Sequence, residues 1–147
     1  MRPFGRFLGL DIGAKRIGIA VSDELGILAS PVSYVQRGSG ELTAFRDLIL
    51  RYEPVRLVAG LPSGMSGHEG PQARSVRTYT DALARMLELE LVYWDERLTT
   101  TIAEKQLIAS GARRDKRREQ IDALAAAVML QSYLDSEAHK RRLAGTA

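Results

Sequence analysis

The chain has 147 residues and a mass of 16.2 kDa, and 45% hydrophobic with 27% charged residues predicts one globular domain and excludes a disordered chain. The absence of cysteine excludes disulfide bonds, thiolate catalysis and cysteine-ligated metal sites. A net charge of +3 permits a polyanionic partner without requiring one. No stretch without a formal charge reaches the roughly 18 residues that span a membrane, and Asp11 and Lys15 interrupt the first apolar run. We therefore expect a cytoplasmic protein with no membrane partner.

The first third of the chain predicts three β-strands. Residues 7–12 and 17–21 are apolar runs separated by the turn-forming segment 13–16. A third run, residues 27–35, contains Pro31, which favours an edge strand or a bulge because proline cannot donate to a sheet ladder. The short links between the three runs predict an antiparallel meander.

The rest of the chain alternates between helical and strand patterns. The predicted elements are a helix between Gly40 and Pro54, a strand at 55–59, a glycine-rich loop at 60–70, a helix beginning at Pro71, a strand at 89–94, a helix at 101–111 and a helix at 121–134. Alternation of helix and strand implies parallel pairing. The sequence thus predicts an α/β protein whose five-stranded mixed sheet, a meander followed by parallel strands, has helices on its faces.

Four acids stand out from the surface carboxylates. Asp11 ends a strand that reads as buried on both faces, and Asp95 and Glu96 end the fifth strand with side chains on opposite faces. Asp122 is the single charge in the otherwise apolar stretch 121–130 and lies on its buried stripe. Each has an ordinary alternative: a turn-capping residue for Asp11, exposed strand-end acids for the pair, and a first-turn acid favoured by the helix dipole for Asp122.

A cluster of these acids would suit a hard divalent cation. Functional groups of α/β sheets gather at the carboxyl ends of strands, where Asp11 and Glu96 lie. Carboxylates without Cys or His ligands favour Mg²⁺ or Mn²⁺. Two such ions could activate water and stabilise the leaving oxygen in a displacement at phosphorus, which is one candidate chemistry among several.

Four motifs, in order along nearly the whole chain, carry a resemblance to a known family. They are Leu10-Asp-Ile-Gly-Ala-Lys-Arg-Ile-Gly-Ile-Ala20, Gly60-Leu-Pro-Ser-Gly-Met-Ser-Gly-His-Glu-Gly-Pro71, Asp95-Glu-Arg-Leu-Thr-Thr100 and Asp122-Ala-Leu-Ala-Ala-Ala127. The chain resembles the YqgF (RuvX) family, small bacterial relatives of RuvC-type Holliday-junction resolvases with an RNase H-like fold. The resemblance implies a single RNase H-like nuclease domain at 1–138, with a frayed tail at 139–147. It also implies catalytic, metal-binding acids at Asp11, Glu96 and Asp122, with Glu96 chosen over Asp95 because related nucleases usually place a glutamate there.

The resemblance implies a metal-dependent endonuclease acting on structured nucleic acid, with the 5′ end of pre-16S rRNA as the expected substrate. Holliday-junction resolution is the alternative, and it would favour a homodimer because a four-way junction is symmetric. A non-catalytic nucleic-acid-binding assembly factor is a further alternative, although a pure binder gains nothing from carboxylates facing phosphate. The sequence Asp11-x-Gly13-x-Lys15 also resembles the phosphate loop of actin-like kinases, but those proteins close two domains around nucleotide and this chain has the length of one.

Basic residues lie beside the candidate acids and could bind nucleic acid. Lys15, Arg16 and Arg97 adjoin the acids in sequence and could contact phosphates or simply balance the acidic charge. A run of five basic residues and one acid, expected to be a loop before the last helix, forms either a solvated segment or a phosphate-binding patch. Its basic members are Arg113, Arg114, Lys116, Arg117 and Arg118.

Overall fold

In a computed structural model of the chain, the described residues are 5–62, 70–96 and 114–145, with backbone alone described for 114–119. Their five strands form one mixed sheet in the order β3-β2-β1-β4-β5. The strands are β1 (Phe7–Ile12), β2 (Arg16–Ser22), β3 (Ala29–Gln36), β4 (Arg56–Leu61) and β5 (Glu90–Asp95). The predicted α/β class and five-stranded mixed sheet are confirmed.

The first three strands form the predicted antiparallel meander, and β1 is central because it also pairs in parallel with β4. The Gly13 amide donates to the Arg16 carbonyl at 2.9 Å and closes the predicted turn between β1 and β2. Pro31 lies on the edge strand β3, where the register with β2 also shifts between Ile19 and Ala20. Both expectations for this proline are therefore met, since proline has no N–H to donate and neither an edge strand nor an irregular register requires one.

Among the described residues, two helices cover one face of the sheet and a third covers the other. Helices α1 (Glu41–Tyr52) and α2 (Pro71–Leu87) contribute Phe45 and Leu83 to a core that also contains Leu8, Leu10 and Ile19. Helix α3 (Arg114–Gly145) packs Ala126, Met129 and Leu130 onto the opposite face. Alternation along β1 sorts its side chains, so Leu8 and Leu10 face the first core while Gly9 lies under Leu130.

Aromatic side chains pack the C-terminal half of α3 against the sheet. Tyr133 makes edge-to-face contacts with Phe7 of β1 and Trp94 of β5, with ring centroids 6.1 and 5.9 Å apart. Its hydroxyl accepts a hydrogen bond from Arg56 at 2.8 Å, and the Trp94 indole donates to Ser132 at 3.2 Å. Such pairs add stability beyond the apolar area that they bury. They fix α3 across three neighbouring strands.

The last helix differs from its prediction at both ends. It was expected at 121–134 but runs from Arg114 to Gly145, because Lys, Arg, Glu and Ala favour helix and neither Gly nor Pro interrupts the chain before residue 145. The basic run is therefore helical from Arg114 onward, not the expected loop. Residues 139–145 are helical too, with exposed side chains, and the division into a domain and a tail stays a prediction. The predicted helix at 101–111 lies outside the described residues.

Candidate active site

The carboxyl-end edge of the sheet brings the predicted acids together. Strands β1, β3, β4 and β5 run in the same direction, so their carboxyl ends meet at one edge. Asp11 lies near the end of β1, and Glu96 follows the last residue of β5. Helix α3 begins on the same side, which places Asp122 over β2 beside that edge. Acids separated by more than 100 residues thus share one region.

Asp11 and Glu96 form a hydrogen-bonded carboxyl pair. Burial raises the pKa of Asp11, and the nearby charge of Asp122 raises it further, while its hydrogen bond with Glu96 opposes these effects. Burial, followed by the hydrogen bond and charge of Asp11 and the charge of Asp95, raises the pKa of Glu96 to about 8. Two neighbouring carboxyls that do not readily ionise together share a proton, so this pair retains a proton to higher pH than two isolated carboxyls would.

The choice between Asp95 and Glu96 has a geometric answer in the orientation of β5. Val92 and Trp94 belong to the core beneath α3, whereas Leu91 and Tyr93 pack against the core on the opposite face. Glu96 continues the first set, and its side chain lies over Gly60 of β4. Asp95 therefore belongs to the face away from α3, and Glu96 is the acid that meets Asp11. Whether Glu96 is catalytic stays a prediction.

Asp122 lies in an ion pair with Arg16, for which the sequence left open a phosphate contact or the balance of acidic charge. The Arg16 Nε donates to Asp122 Oδ2 at 2.7 Å, and the guanidinium also lies 5.6 Å from the centre of the Tyr34 ring. The two charged side chains are 37% and 24% exposed, so solvent screens them only in part. Because α3 begins at Arg114, Asp122 is not in the first turn, and the alternative of an acid favoured by the helix dipole does not apply.

Glycines set how closely these acids approach the sheet. Asp11 pairs across the β1–β2 ladder with Gly18, and a methyl group on Gly18 would collide with the backbone carbonyl of Asp122. Gly60 plays the same part for Glu96, whose Cγ lies 2.9 Å from where a β-carbon would stand. The missing side chains therefore let α3 and Glu96 lie directly on the sheet backbone.

No three His, Asp or Glu side chains within the described ranges are arranged so that they could hold a metal ion as they stand. In the structure, Asp11 is bonded to Glu96, and Asp122 to Arg16. The donor set nevertheless suits a hard cation, since it consists of carboxylate oxygens, one pair of which is close enough to share a proton. Burial is the main cause of both raised pKa values, and a divalent cation would offset the neighbouring carboxylate charges that raise them further.

The structure describes some of the other predicted basic residues. Lys15 is exposed in the β1–β2 turn at the same edge as the acids. Arg114, Lys116, Arg117 and Arg118 lie in the first turns of α3, where backbone alone is described, while Arg97 and Arg113 lie outside the described residues, as does most of the glycine-rich loop.

Arg37 is a cation at this edge that the sequence did not identify. Arg37, directly after β3, donates to the Gly13 carbonyl at 2.9 Å and stacks 4.4 Å above the Tyr79 ring, whose hydroxyl donates to Glu41. That hydrogen bond, after burial, raises the pKa of Tyr79. The signal that could have revealed Arg37 is the strand direction, because a meander returns the end of β3 to the end of β1.

The RuvX family profile, described as Holliday junction resolvase, matches residues 5–136. The chain belongs to the RuvX family. Its motifs and its fold agree with that membership, and the expected nuclease is confirmed at the level of the family. A RuvX relative from Lactococcus lactis subsp. cremoris, named "Putative pre-16S rRNA nuclease", is 49% identical over 141 residues, which are 93% of this chain and 99% of the relative.

Solved structures of resolvases share the fold of this RuvX chain. The yeast mitochondrial Holliday junction resolvase Ydc2 superposes with a TM-score of 0.61 at 12% identity, over 97% of this chain and 82% of Ydc2. Thermus thermophilus RuvC in complex with Holliday junction substrate gives 0.55 at 14% identity, over 92% and 96% of the two chains. The RNase H-like architecture is therefore confirmed. Within the described ranges, no helix combines the length and apolar character needed to cross a bilayer.

Proposed function

We propose that this RuvX chain is a metal-dependent endonuclease that hydrolyses phosphodiester bonds in structured nucleic acid, and that it processes the 5′ end of pre-16S rRNA. The observation that carries the proposal is the hydrogen-bonded pair Asp11–Glu96 at the carboxyl-end edge, with Asp122 close enough to raise the pKa of Asp11. Partly buried carboxyls beside one another are costly to a fold, and groups with strongly perturbed pKa values cluster at functional sites. The name of the Lactococcus relative supports the choice of substrate.

The site would hold Mg²⁺ or Mn²⁺ through Asp11, Glu96 and Asp122. Such an ion, when bound, polarises the phosphodiester and lowers the pKa of a water nucleophile. The chain's own contribution is to hold oxygen ligands on three different elements and to bring them deprotonated to the ion. Glu96 therefore has to lose the proton that it shares with Asp11, which makes binding of the ion favour higher pH.

The nucleic acid would cross the carboxyl-end edge, where cations flank the acids. Lys15 is exposed there, and the first turns of α3 bring the backbone of the basic run to the same side. We propose that Lys15, Arg16 and Arg97 contact phosphates beside the scissile bond. We assign the longer backbone contacts to the basic run, whose members are Arg113, Arg114, Lys116, Arg117 and Arg118. Binding would then weaken steeply as salt rises.

Resolution of Holliday junctions is a second candidate, favoured by the description of the family profile. It requires a dimer that presents two sites to a symmetric junction. An rRNA-processing enzyme carries no such requirement. Sedimentation of the chain alone and with a four-way junction tests this requirement independently of cleavage, and a chain that stays monomeric on the junction would count against the resolvase.

The decisive experiment is a cleavage panel with Mn²⁺ or Mg²⁺. It compares a precursor fragment spanning the 5′ end of 16S rRNA, a four-way DNA junction, a linear duplex and single-stranded RNA. We expect cleavage of the precursor by the natural chain and its loss in Asp11→Asn, Glu96→Gln and Asp122→Asn. Asp95→Asn is the matched control and retains cleavage.

The outcomes of this panel separate the proposals. Full activity in all three variants would overturn the assignment of the site. Loss in Asp95→Asn with activity kept in Glu96→Gln would move the second acid to Asp95. Cleavage of the four-way junction alone would favour the resolvase, and the absence of any cleavage together with tight binding would favour a non-catalytic assembly factor.

A further inference from the structure

The ion pair between Arg16 and Asp122 joins two residues 106 positions apart in the chain. Arg16 begins β2, and its side chain projects to the same face as Gly18 and Ala20, the face that α3 covers. The pair is held on one side by the Tyr34 ring, over which the guanidinium lies at 5.6 Å. The contact is a strong interaction within the candidate site, because it is a 2.7 Å charge-assisted hydrogen bond between partly buried groups.

This contact uses a ligand that the proposed function assigns to a metal ion. A divalent cation at Asp122 would lie within a few ångströms of the guanidinium, and two positive charges at that distance repel one another. The Asp122 carboxylate would therefore bind a divalent cation less tightly while the guanidinium is bound, and the guanidinium less tightly while the cation is bound. Arg16 and a metal ion would thus compete for Asp122.

We propose that Arg16 is a removable counter-ion: a divalent cation displaces its guanidinium from Asp122, and the freed guanidinium then binds a phosphate of the nucleic acid. The inference rests on the proposed function and adds an order to it, because Arg16 is available to phosphate only after Asp122 has another cationic partner. Metal ion and nucleic acid then strengthen each other's binding, as linkage between two sites requires. A fixed orienting role for Arg16 predicts the opposite, namely that its loss weakens metal binding.

Metal affinity gives the first test. Calorimetric titration of the full chain with Mn²⁺ should give a dissociation constant about tenfold lower in Arg16→Gln than in the natural chain. Arg16→Lys, which keeps the charge, should stay within about threefold of the natural chain. In an Asp122→Asn background, Arg16→Gln should change the constant less than about twofold, because the two substitutions act through one contact.

Arg37→Gln is the matched control for charge. It removes a guanidinium from the same edge, but one bonded to the Gly13 carbonyl instead of a carboxylate. Its Mn²⁺ affinity should stay within about twofold of the natural chain. An equal gain in both arginine variants would mean a general effect of charge and would overturn the specific pairing.

Nucleic-acid binding without metal gives the second test. In EDTA, a fluorescein-labelled four-way DNA junction should bind Asp122→Asn at least about fivefold more tightly than the natural chain, because the guanidinium is released. Most of this gain should disappear in Arg16→Gln/Asp122→Asn. A gain that survives in the double variant would come from the lost negative charge alone and would overturn the release of Arg16.

The two proposals fail in different ways. Unchanged or weaker Mn²⁺ binding in Arg16→Gln, beside a natural chain that binds Mn²⁺ and cleaves, overturns the counter-ion role alone. A natural chain with no saturable Mn²⁺ site overturns the metal dependence of the proposed function together with it. Circular dichroism of every variant verifies folding. If Arg16→Gln unfolds, the EDTA measurement on Asp122→Asn still tests the proposal, because an unchanged affinity for the junction would overturn the release of Arg16.

Discussion

Replacing Gly18 by alanine tests whether the absence of a side chain at this position of β2 sets the position of α3. The β-carbon of an alanine would stand 3.2 Å from the Asp122 Cα and would collide with the adjacent carbonyl. Carbon atoms prefer contacts of about 3.5–4.0 Å, so the helix must rise locally by roughly 1 Å or the strand must bend. A flexible side chain could turn aside, but a helix backbone cannot.

The cost of Gly18→Ala follows from this collision. Overpacking of a filled interior usually costs about 1–3 kcal/mol, and a backbone obstacle places this variant near the upper end. For a chain of this size, about 3 kcal/mol lowers Tm by roughly 6–12 °C. Gly9→Ala is the matched control under the same helix, where a β-carbon would meet Leu130 Cβ at 3.0 Å. Leu130 has to shift by only a few tenths of an ångström, so we expect a loss of about 1 kcal/mol.

Thermal unfolding followed by circular dichroism measures both variants, and Mn²⁺ titration at 20 °C measures the site. Gly18→Ala should weaken Mn²⁺ binding even where the protein is fully folded, because the residue that moves is Asp122. Gly9→Ala should leave Mn²⁺ binding within about twofold of the natural chain. Equal stability losses with unchanged Mn²⁺ affinity in both variants would refute the idea that Gly18 positions the acid.

Three further predictions concern contacts elsewhere in the fold. The raised pKa of Glu96 means that the metal-free protein loses stability as pH rises from about 5 to 8. We expect a loss of about 1–2 kcal/mol, which is less than the full shift would give at roughly 1.4 kcal/mol for each unit of pKa, because Glu96 is partly exposed and solvent screens its charge. Urea unfolding in EDTA should reveal this loss, and Glu96→Gln should remove it. Gln131→Ala should lower the free energy of unfolding by about 1–2 kcal/mol in urea, because its amide accepts from the Ala29 amide and donates to the Ile27 carbonyl, both at 2.9 Å. Arg56→Ala should cost about 1–3 kcal/mol by thermal unfolding, since its guanidinium joins β4 to α3.

Each of these has its own check. The pH effect would be contradicted by parallel stability profiles of the natural chain and Glu96→Gln. For Gln131, Asp135→Ala removes only an exposed side-chain partner and should be nearly neutral. For Arg56, a double-mutant cycle with Tyr133→Phe should give a coupling of about 1 kcal/mol, and strictly additive losses would count against the bond between them.

Much of the fold followed from the sequence because its local signals agree with one another. Apolar runs separated by short turns dictate the meander, and alternating helix and strand dictate parallel pairing. Asp11 and Glu96 could be placed at one edge because strand direction follows from those rules. The alternation in β5 also required that Asp95 and Glu96 point to different faces. That reasoning could not say which of the two meets Asp11, because it depends on which face α3 covers.

The remainder depended on contacts that no local pattern encodes. The partner of Asp122 is Arg16, and nothing in either segment specifies a pairing across 106 positions. The start of α3 was misplaced because the helix was assigned from the apolar stretch at 121–134, and the charge run before it was expected to be a loop. The structure extends the helix to Arg114, in keeping with the high helix propensity of Lys and Arg.

The fluorescence of the chain's single tryptophan should report the packing of α3 on the sheet. Trp94 lies against the Tyr133 ring and bonds Ser132, both on α3, two positions before Glu96. Any event that lifts α3 from the sheet would change the polarity around the indole and break its hydrogen bond. Intrinsic fluorescence of the unlabelled protein should therefore follow the docking of the helix that carries Asp122. The fold supplies its own reporter for real-time kinetics of metal or nucleic-acid binding.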